Sequence, residues 1–366
     1  MKKLVSCVFI FCLTLPASVV SETLNVGAIL ILSSDQAQYG KAMQEGIEIA
    51  LDECNAKLKI TSHTLRVFYE DSALRPKQAH TAALKLINQN HIIAGINSAF
   101  SEVMPNGKLF ERYKVPAITL WDSSRQIEKL GDYNFAIGLW TPSSAEVSSE
   151  FARKQLKAKT AVIINTQGDW AETVATLFEA DFEKHGGKVL GRYAVHPDNN
   201  DFKSILTKTK FKNPDVIYAP LMEDLIPFYK QLRKLNVSSK IVTSDIIARE
   251  HIDLIPNLLE GVYQSNAPAL EGDRAMLLDR KYKSRYGRKP KLPLFSAWGY
   301  DGLMLICEAV KSEAITSEAI KQFLYDLKDF PGLSNTINFT PEGSSPVIEK
   351  MFKITEGKFE KVGNIG

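Results

Sequence analysis

The chain predicts an α/β protein built as two doubly wound parallel-sheet lobes joined by a multi-crossover hinge. Three observations carry this. From residue 22 onward, short β-rich runs alternate with longer helical patterns, the mark of parallel strands with helices on both faces. At 366 residues the chain is too long for one hydrophobic core and suits two domains. No low-complexity linker or charge block separates them, so the two bodies share several close crossovers rather than a tether.

The elements follow in order. Residues 1–21 read as a signal peptide: Lys2 and Lys3 form the charged start and Leu4 to Leu15 an apolar run, shorter than the ~18 residues that mark a membrane span. Pro16 breaks that run, and the small residues ending at Ser21 suit cleavage. Strands are expected at 24–32, 64–71, 92–96, 116–120, 134–140, 160–165, 188–196, 215–219, 240–244 and 260–265. The first leads through a polar turn to Tyr39-Gly40 and a helix with Met43, Ile47, Ala50, Leu51 and Cys54 along one face. Helical period is clearest at 76–90, 143–157, 169–185, 223–235, 272–286 and 296–312. Pro76 suits a helix start and Gly186-Gly187 a helix end. The alternation fades after residue 313, and 347–354 with 358–362 read as a terminal hairpin. Crossovers at 139–142, 265–268 and 345–348 divide the chain into a first lobe of 22–140 plus 267–346 and a second of 141–266 plus 347–366.

The formal charge is +3, of which Lys2 and Lys3 supply part. Such a balance, without a basic block, leaves no footprint for nucleic acid or an anionic membrane. Cys54 and Cys307 remain after processing. In an oxidising compartment they could pair, though Cys54 on an apolar helix face reads as a small core residue. Phosphate-loop, dinucleotide and nucleophile-elbow motifs are absent. The 6 histidines show no His-x-x-x-His spacing and no Cys-x-x-Cys companion. No enzyme, metal site or cofactor is therefore expected.

Polar and aromatic residues recur instead at the C-terminal ends of the expected strands, where open α/β sheets bind ligands. They are Asn97 to Ser101, Trp121 to Ser124, Asn165 to Trp170, Pro220 to Glu223, and Asp245. Turns are polar in any protein and tryptophan usually packs in cores; the recurrence at equivalent positions is what signals a site. These positions offer hydroxyls, backbone N–H groups, Asp122 and Asp245, with Arg125 the nearby cation. A dianion would lack a charged partner, whereas a zwitterion would find amides for its carboxylate and a carboxylate for its ammonium. Trp121 and Trp170 would cover an apolar side chain or face a cation.

From about residue 24 to 355 the chain resembles type I periplasmic solute-binding proteins, specifically the leucine/isoleucine/valine-binding branch of ABC importers. The likeness rests on Ala37-Gln38-Tyr39-Gly40, on Tyr69-Glu70-Asp71 with Pro76-Lys77-Gln78-Ala79, on Ala297-Trp298-Gly299-Tyr300-Asp301-Gly302 and on Phe339-Thr340-Pro341-Glu342-Gly343, in order and spacing. The resemblance implies that Tyr39 lines the pocket. The family's carboxylate-binding serine falls on Ala99, with Ser98 and Ser101 beside it. A second hydroxyl falls on Ser123, with Trp121 and Asp122 where small residues are usual. Two pocket tyrosines fall on Trp170 and Met222, and the acid that takes the ammonium falls on Asp245.

The expected function is thus an extracytoplasmic receptor, monomeric and periplasmic, that captures an amino acid or related zwitterion between closing lobes and presents it to an ABC permease in the inner membrane. Tyr39, Ser98, Ser101, Trp121, Asp122 and Ser123 would act from the first lobe, and Trp170, Met222 and Asp245 from the second. Rival readings are a receptor for an aromatic compound or an organic cation, a sensory ligand-binding module, and a periplasmic enzyme.

Overall fold

The computed structural model describes residues 22–59, 62–222 and 224–362; the expected signal segment and Glu223 lie outside the described residues. Two sheets organise the chain. The first runs His63–Asp71, Glu22–Leu30, Ala94–Asn97, Ala117–Thr119, Asn134–Ala136, all parallel. The second runs Lys188–Val195, Thr160–Thr166, Val216–Tyr218, Lys240–Thr243, Tyr263–Asn266 in parallel, then adds the antiparallel hairpin Lys350–Thr355 and Lys358–Lys361. In each sheet the second strand lies outside the first and the later ones follow on the other side. The order therefore reverses beside Glu22–Leu30 in one sheet and beside Thr160–Thr166 in the other, the crevices where doubly wound sheets take ligands.

The expected run 134–140 is not one strand. Asn134–Ala136 belongs to the first sheet, while Leu139–Trp140 pairs with Asp122–Ser123 in a separate two-stranded ladder. Gly138 makes the break possible: a Cβ there would stand 2.0 Å from the Trp121 carbonyl oxygen. Val347 joins the same place by a bridge to Leu139. Ser144, just past the first passage between sheets, hydrogen-bonds Ser265 at the second, Oγ to Oγ at 3.0 Å.

The first sheet is backed by helices Ala37–Leu58 and Pro293–Lys311, which meet backbone to backbone. A Cβ on Gly46 would lie 2.0 Å from the Ser296 carbonyl oxygen, and one on Gly299 2.0 Å from that of Met43. Met43, Ile47, Ala50 and Cys54 are buried there as the helical period required, together with Trp298, Leu303 and Ile306 from the facing helix. Reading Cys54 as an isolated core residue needs correcting: it is buried and also disulfide-bonded to Cys307, joining the two helices. Helices Phe100–Tyr113, Lys203–Lys212 and Ser317–Asp326 also appear, beyond those singled out by periodicity.

Candidate functional site

On the first sheet, strand Ala94–Asn97 ends in Ser98-Ala99, and helix Phe100–Tyr113 starts at once. A helix start exposes backbone N–H groups that attract negative charge. Here the protein supplies that charge itself. The Ala99 N–H donates to Glu102 Oε2 at 2.7 Å, and the Phe100 N–H donates to Asp122 Oδ2 at 2.7 Å. Glu102 is fully buried and also accepts the hydroxyls of Ser72, Ser98 and Ser101. Burial raises its pKa, against the lowering effect of these donors.

Asp122 is 9% exposed. Its strand is clamped by the ladder to Leu139–Trp140 and by the Trp121 N–H, which donates to the Ser98 carbonyl at 2.9 Å. Burial pushes its carboxyl up to about 7; the Phe100 N–H works against this, and the negative charges of Asp245 and Glu102 add to it.

The second sheet presents its residues from strand ends in the same way. Trp170 opens helix Asp169–Lys184 after Gly168, whose φ of 151° only glycine adopts readily. The Met222 N–H donates to Thr166 Oγ1 at 2.9 Å, and that hydroxyl donates to Asp224 Oδ1 at 2.7 Å. Asp245 follows Ser244, whose hydroxyl meets the Tyr218 hydroxyl at 2.6 Å. Burial raises the Asp245 carboxyl above the ordinary carboxylate range.

Between the sheets the cleft holds two compartments, of about 570 Å³ and 780 Å³, and Trp121 and Asp245 line both. Trp121 stands among Tyr39 and Phe295, ring centroids 5.0 and 4.7 Å away. Ser101, Trp121, Asp122, Trp170, Met222 and Asp245 meet in the first compartment, and Tyr39 lines the second. Ser98 and Ser123 line neither: both are fully buried, Ser98 turned to Glu102 and the Ser123 hydroxyl without a hydrogen-bond partner. The first compartment is walled by Phe100, Met104, Trp121, Trp170 and Met222, and among the described residues no lysine or arginine lines it. The cations of the second compartment, Lys41, Arg249, Arg288 and Lys291, are all exposed. Among them Arg288 pairs with Glu45 and Arg249 with Asp253.

Sequence reasoning missed three contributors. Glu102 sits one residue past the recognised Asn97 to Ser101 cluster, and its place three residues after the helix-capping Ala99 was the available signal. Phe295 comes from a helix far along the chain. Glu349, buried at the third crossover, has an Oε2 atom without a partner. Burial, then the charge of Asp245, raises its pKa well above the ordinary value. Asp122, Asp169 and Asp245 line the first compartment together with Trp121 and Trp170, an arrangement that a cationic nitrogen relieves.

Residues 23–353 match the family model described as periplasmic binding protein. The chain is 25% identical over 198 residues to the Leu/Ile/Val-binding protein BraC3 of Rhizobium johnstonii, covering 53% of each chain. It is 23% identical over 202 residues to the Leu/Ile/Val-binding protein of Escherichia coli K12, covering 54% of each. It thus spans about half the length of the curated relatives it matches. Among solved structures, the leucine-binding protein LivK of Thermotoga maritima superposes with a TM-score of 0.80 at 23% identity, over 93% of this chain and 98% of that one. A solute-binding protein of Rhodopseudomonas palustris BisB5, solved with 3,4-dihydroxybenzoic acid, superposes with a TM-score of 0.75 at 18% identity, over 93% and 96%.

Proposed function

The chain belongs to the periplasmic binding protein family, and from that premise we propose that it captures a small solute bearing a positively charged nitrogen between its two lobes. It works in the periplasm as the receptor of an ABC importer and hands the solute to an inner-membrane permease. One observation carries the ligand class: Asp122 from the small ladder beyond the first sheet and Asp245 from the end of a strand of the second line a single cavity with aromatic walls and, among the described residues, no lining lysine or arginine.

The charge balance decides between ligand chemistries. Amino acids and amines both bring the ammonium that this pair of carboxylates lacks. An aromatic acid such as the one bound by the Rhodopseudomonas protein would find ring faces but no counter-charge, and would leave Asp122 and Asp245 without one. Capture follows hinge logic: a cation held by Asp122 and Asp245 together favours the closed arrangement by its extra contacts there. Phe100, Trp121 and Trp170 of the same cavity form the wall that an apolar portion would pack against.

The test is a thermal-shift and calorimetry panel on protein refolded to strip carried-over ligand, with amino acids, amines and aromatic acids. A ligand at about 100 times its dissociation constant adds about 2.7 kcal/mol. Hits among nitrogen cations support the reading; hits confined to carboxylic acids overturn it.

A further inference from the structure

The family reading leaves open whether the ligand carries a carboxylate beside its cationic nitrogen. Resting on that reading, we propose that it does not: the cavity is a site for a carboxylate-free organic cation, an amine or quaternary ammonium, held with its nitrogen between Asp122 and Asp245 and its apolar part against Trp121, Trp170 and Phe100.

The first argument is occupancy. The helix starts that line the cavity include that of Phe100–Tyr113 and that of Asp169–Lys184, whose first turn carries Asp169 and Glu172; at the former a ligand carboxylate would look for free N–H groups and the helix dipole. The Ala99 and Phe100 N–H groups already donate to Glu102 and Asp122 at 2.7 Å. A ligand carboxylate arriving there would meet the carboxyl groups of Glu102 and Asp122, with repulsion where the bare helix start would give attraction.

The second argument is what remains unpaired. Asp122 spends Oδ2 on Phe100, while Oδ1 accepts no hydrogen bond among the described residues; the side chain is more than nine-tenths buried yet lines the cavity. A carboxylate oxygen without a donor, on a residue that lines a cavity, calls for one from the ligand, and an ammonium is the strongest available. Asp245 reaches the same cavity from the opposite sheet, and Asp169 lines it as well. Among the described residues, the cations that line the cleft, Lys41, Arg249, Arg288 and Lys291, all belong to the other compartment, and two of them are already paired. The third argument is the wall: Phe100, Met104, Trp121, Trp170 and Met222 present ring faces and thioethers, which suit a desolvated cation.

The experiment compares matched pairs by calorimetry at pH 8 on refolded full-length protein: 3-methylbutylamine against leucine, phenethylamine against phenylalanine, with choline, 3-methylbutanoate and benzoate alongside. The proposal expects at least one amine or choline to bind at least about ten-fold tighter than every amino acid tested. Tighter binding of the amino acids overturns this proposal and leaves the nitrogen-cation reading standing. Binding of only the two acids overturns both, as does silence across the whole panel. Asp122→Ser supplies a second readout, because it removes the charge and frees the Phe100 N–H. Amine affinity should fall by about ten-fold or more while amino-acid affinity rises; unchanged amine affinity in a folded variant refutes the assignment. Asp122→Asn, which keeps an acceptor for Phe100, serves if the serine variant does not fold.

Discussion

Replacing Asp122 with asparagine should make the ligand-free protein more stable at alkaline pH. The carboxyl sits at about 7 against an ordinary value of 3.8, so the native state holds this proton more tightly than the unfolded chain. A carboxyl raised on folding costs nothing below its unfolded pKa, and the cost grows as pH climbs from there to the folded value. About three units at 1.36 kcal/mol each give about 4 kcal/mol once pH exceeds 7. Asparagine has nearly the same shape, carries no charge, and keeps an oxygen to accept the Phe100 N–H. Thermal melts of refolded wild type and Asp122→Asn, at pH 8 and pH 5, check this. The variant should lead by up to about 4 kcal/mol at pH 8 and by less than half of that at pH 5. Even about 2 kcal/mol would appear as a rise of roughly 4–8 °C in a lobe-sized unit. A lead that does not change with pH, or a variant less stable at pH 8, would refute the claim that this carboxylate is held at a cost. The same variant should lose ligand affinity, placing Asp122 among residues that trade stability for binding.

Other outcomes follow from the same geometry. Asp245→Asn should weaken binding of the nitrogen cation by ~2–5 kcal/mol, because it uncouples the second sheet from the ligand; calorimetry showing an unchanged dissociation constant would remove Asp245 from the site. Affinity should decline as pH falls from 8 to 5, since protons then occupy Asp122 and Asp245, whose carboxyls burial has raised. Near pH 7, calorimetry in buffers of different ionisation enthalpy should register proton release on binding. Reducing Cys54–Cys307, or replacing both cysteines with alanine, should lower stability by about 2–5 kcal/mol, read as an earlier denaturation midpoint.

The alternation of strands and helices was legible because each element carries its own period: 272–286 emerged as helix Gly272–Tyr286, and 160–165 became Thr160–Thr166. Failures came where distant chain decides. Residues 134–140 look like one β run, and only the contact of Gly138 with the Trp121 carbonyl splits it between two sheets. Helix Phe100–Tyr113 carries Pro105 in its second turn, which disrupts the local signal and leaves the Ser101 carbonyl without its i+4 donor. At the site, Asp122, Trp170, Met222 and Asp245 could be found because topology puts strand ends together. The hydrogen bond that turns Asp122 onto the Phe100 N–H spans 22 residues and leaves no periodic trace. Nor does the arrival of Phe295 beside Trp121.

The paired helices Ala37–Leu58 and Pro293–Lys311 have a consequence for assembly. Their disulfide spans a sequence separation of 253, and every strand of the second sheet's parallel set lies inside that loop. A chain appearing N-terminus first has all of these strands before the second helix of the pair exists. The core around Met43 and Trp298 must therefore wait, half-built, while the later body completes its parallel sheet. The sealing event of the molecule is the meeting of its early and late segments, and a thiol oxidant is needed only at that last step.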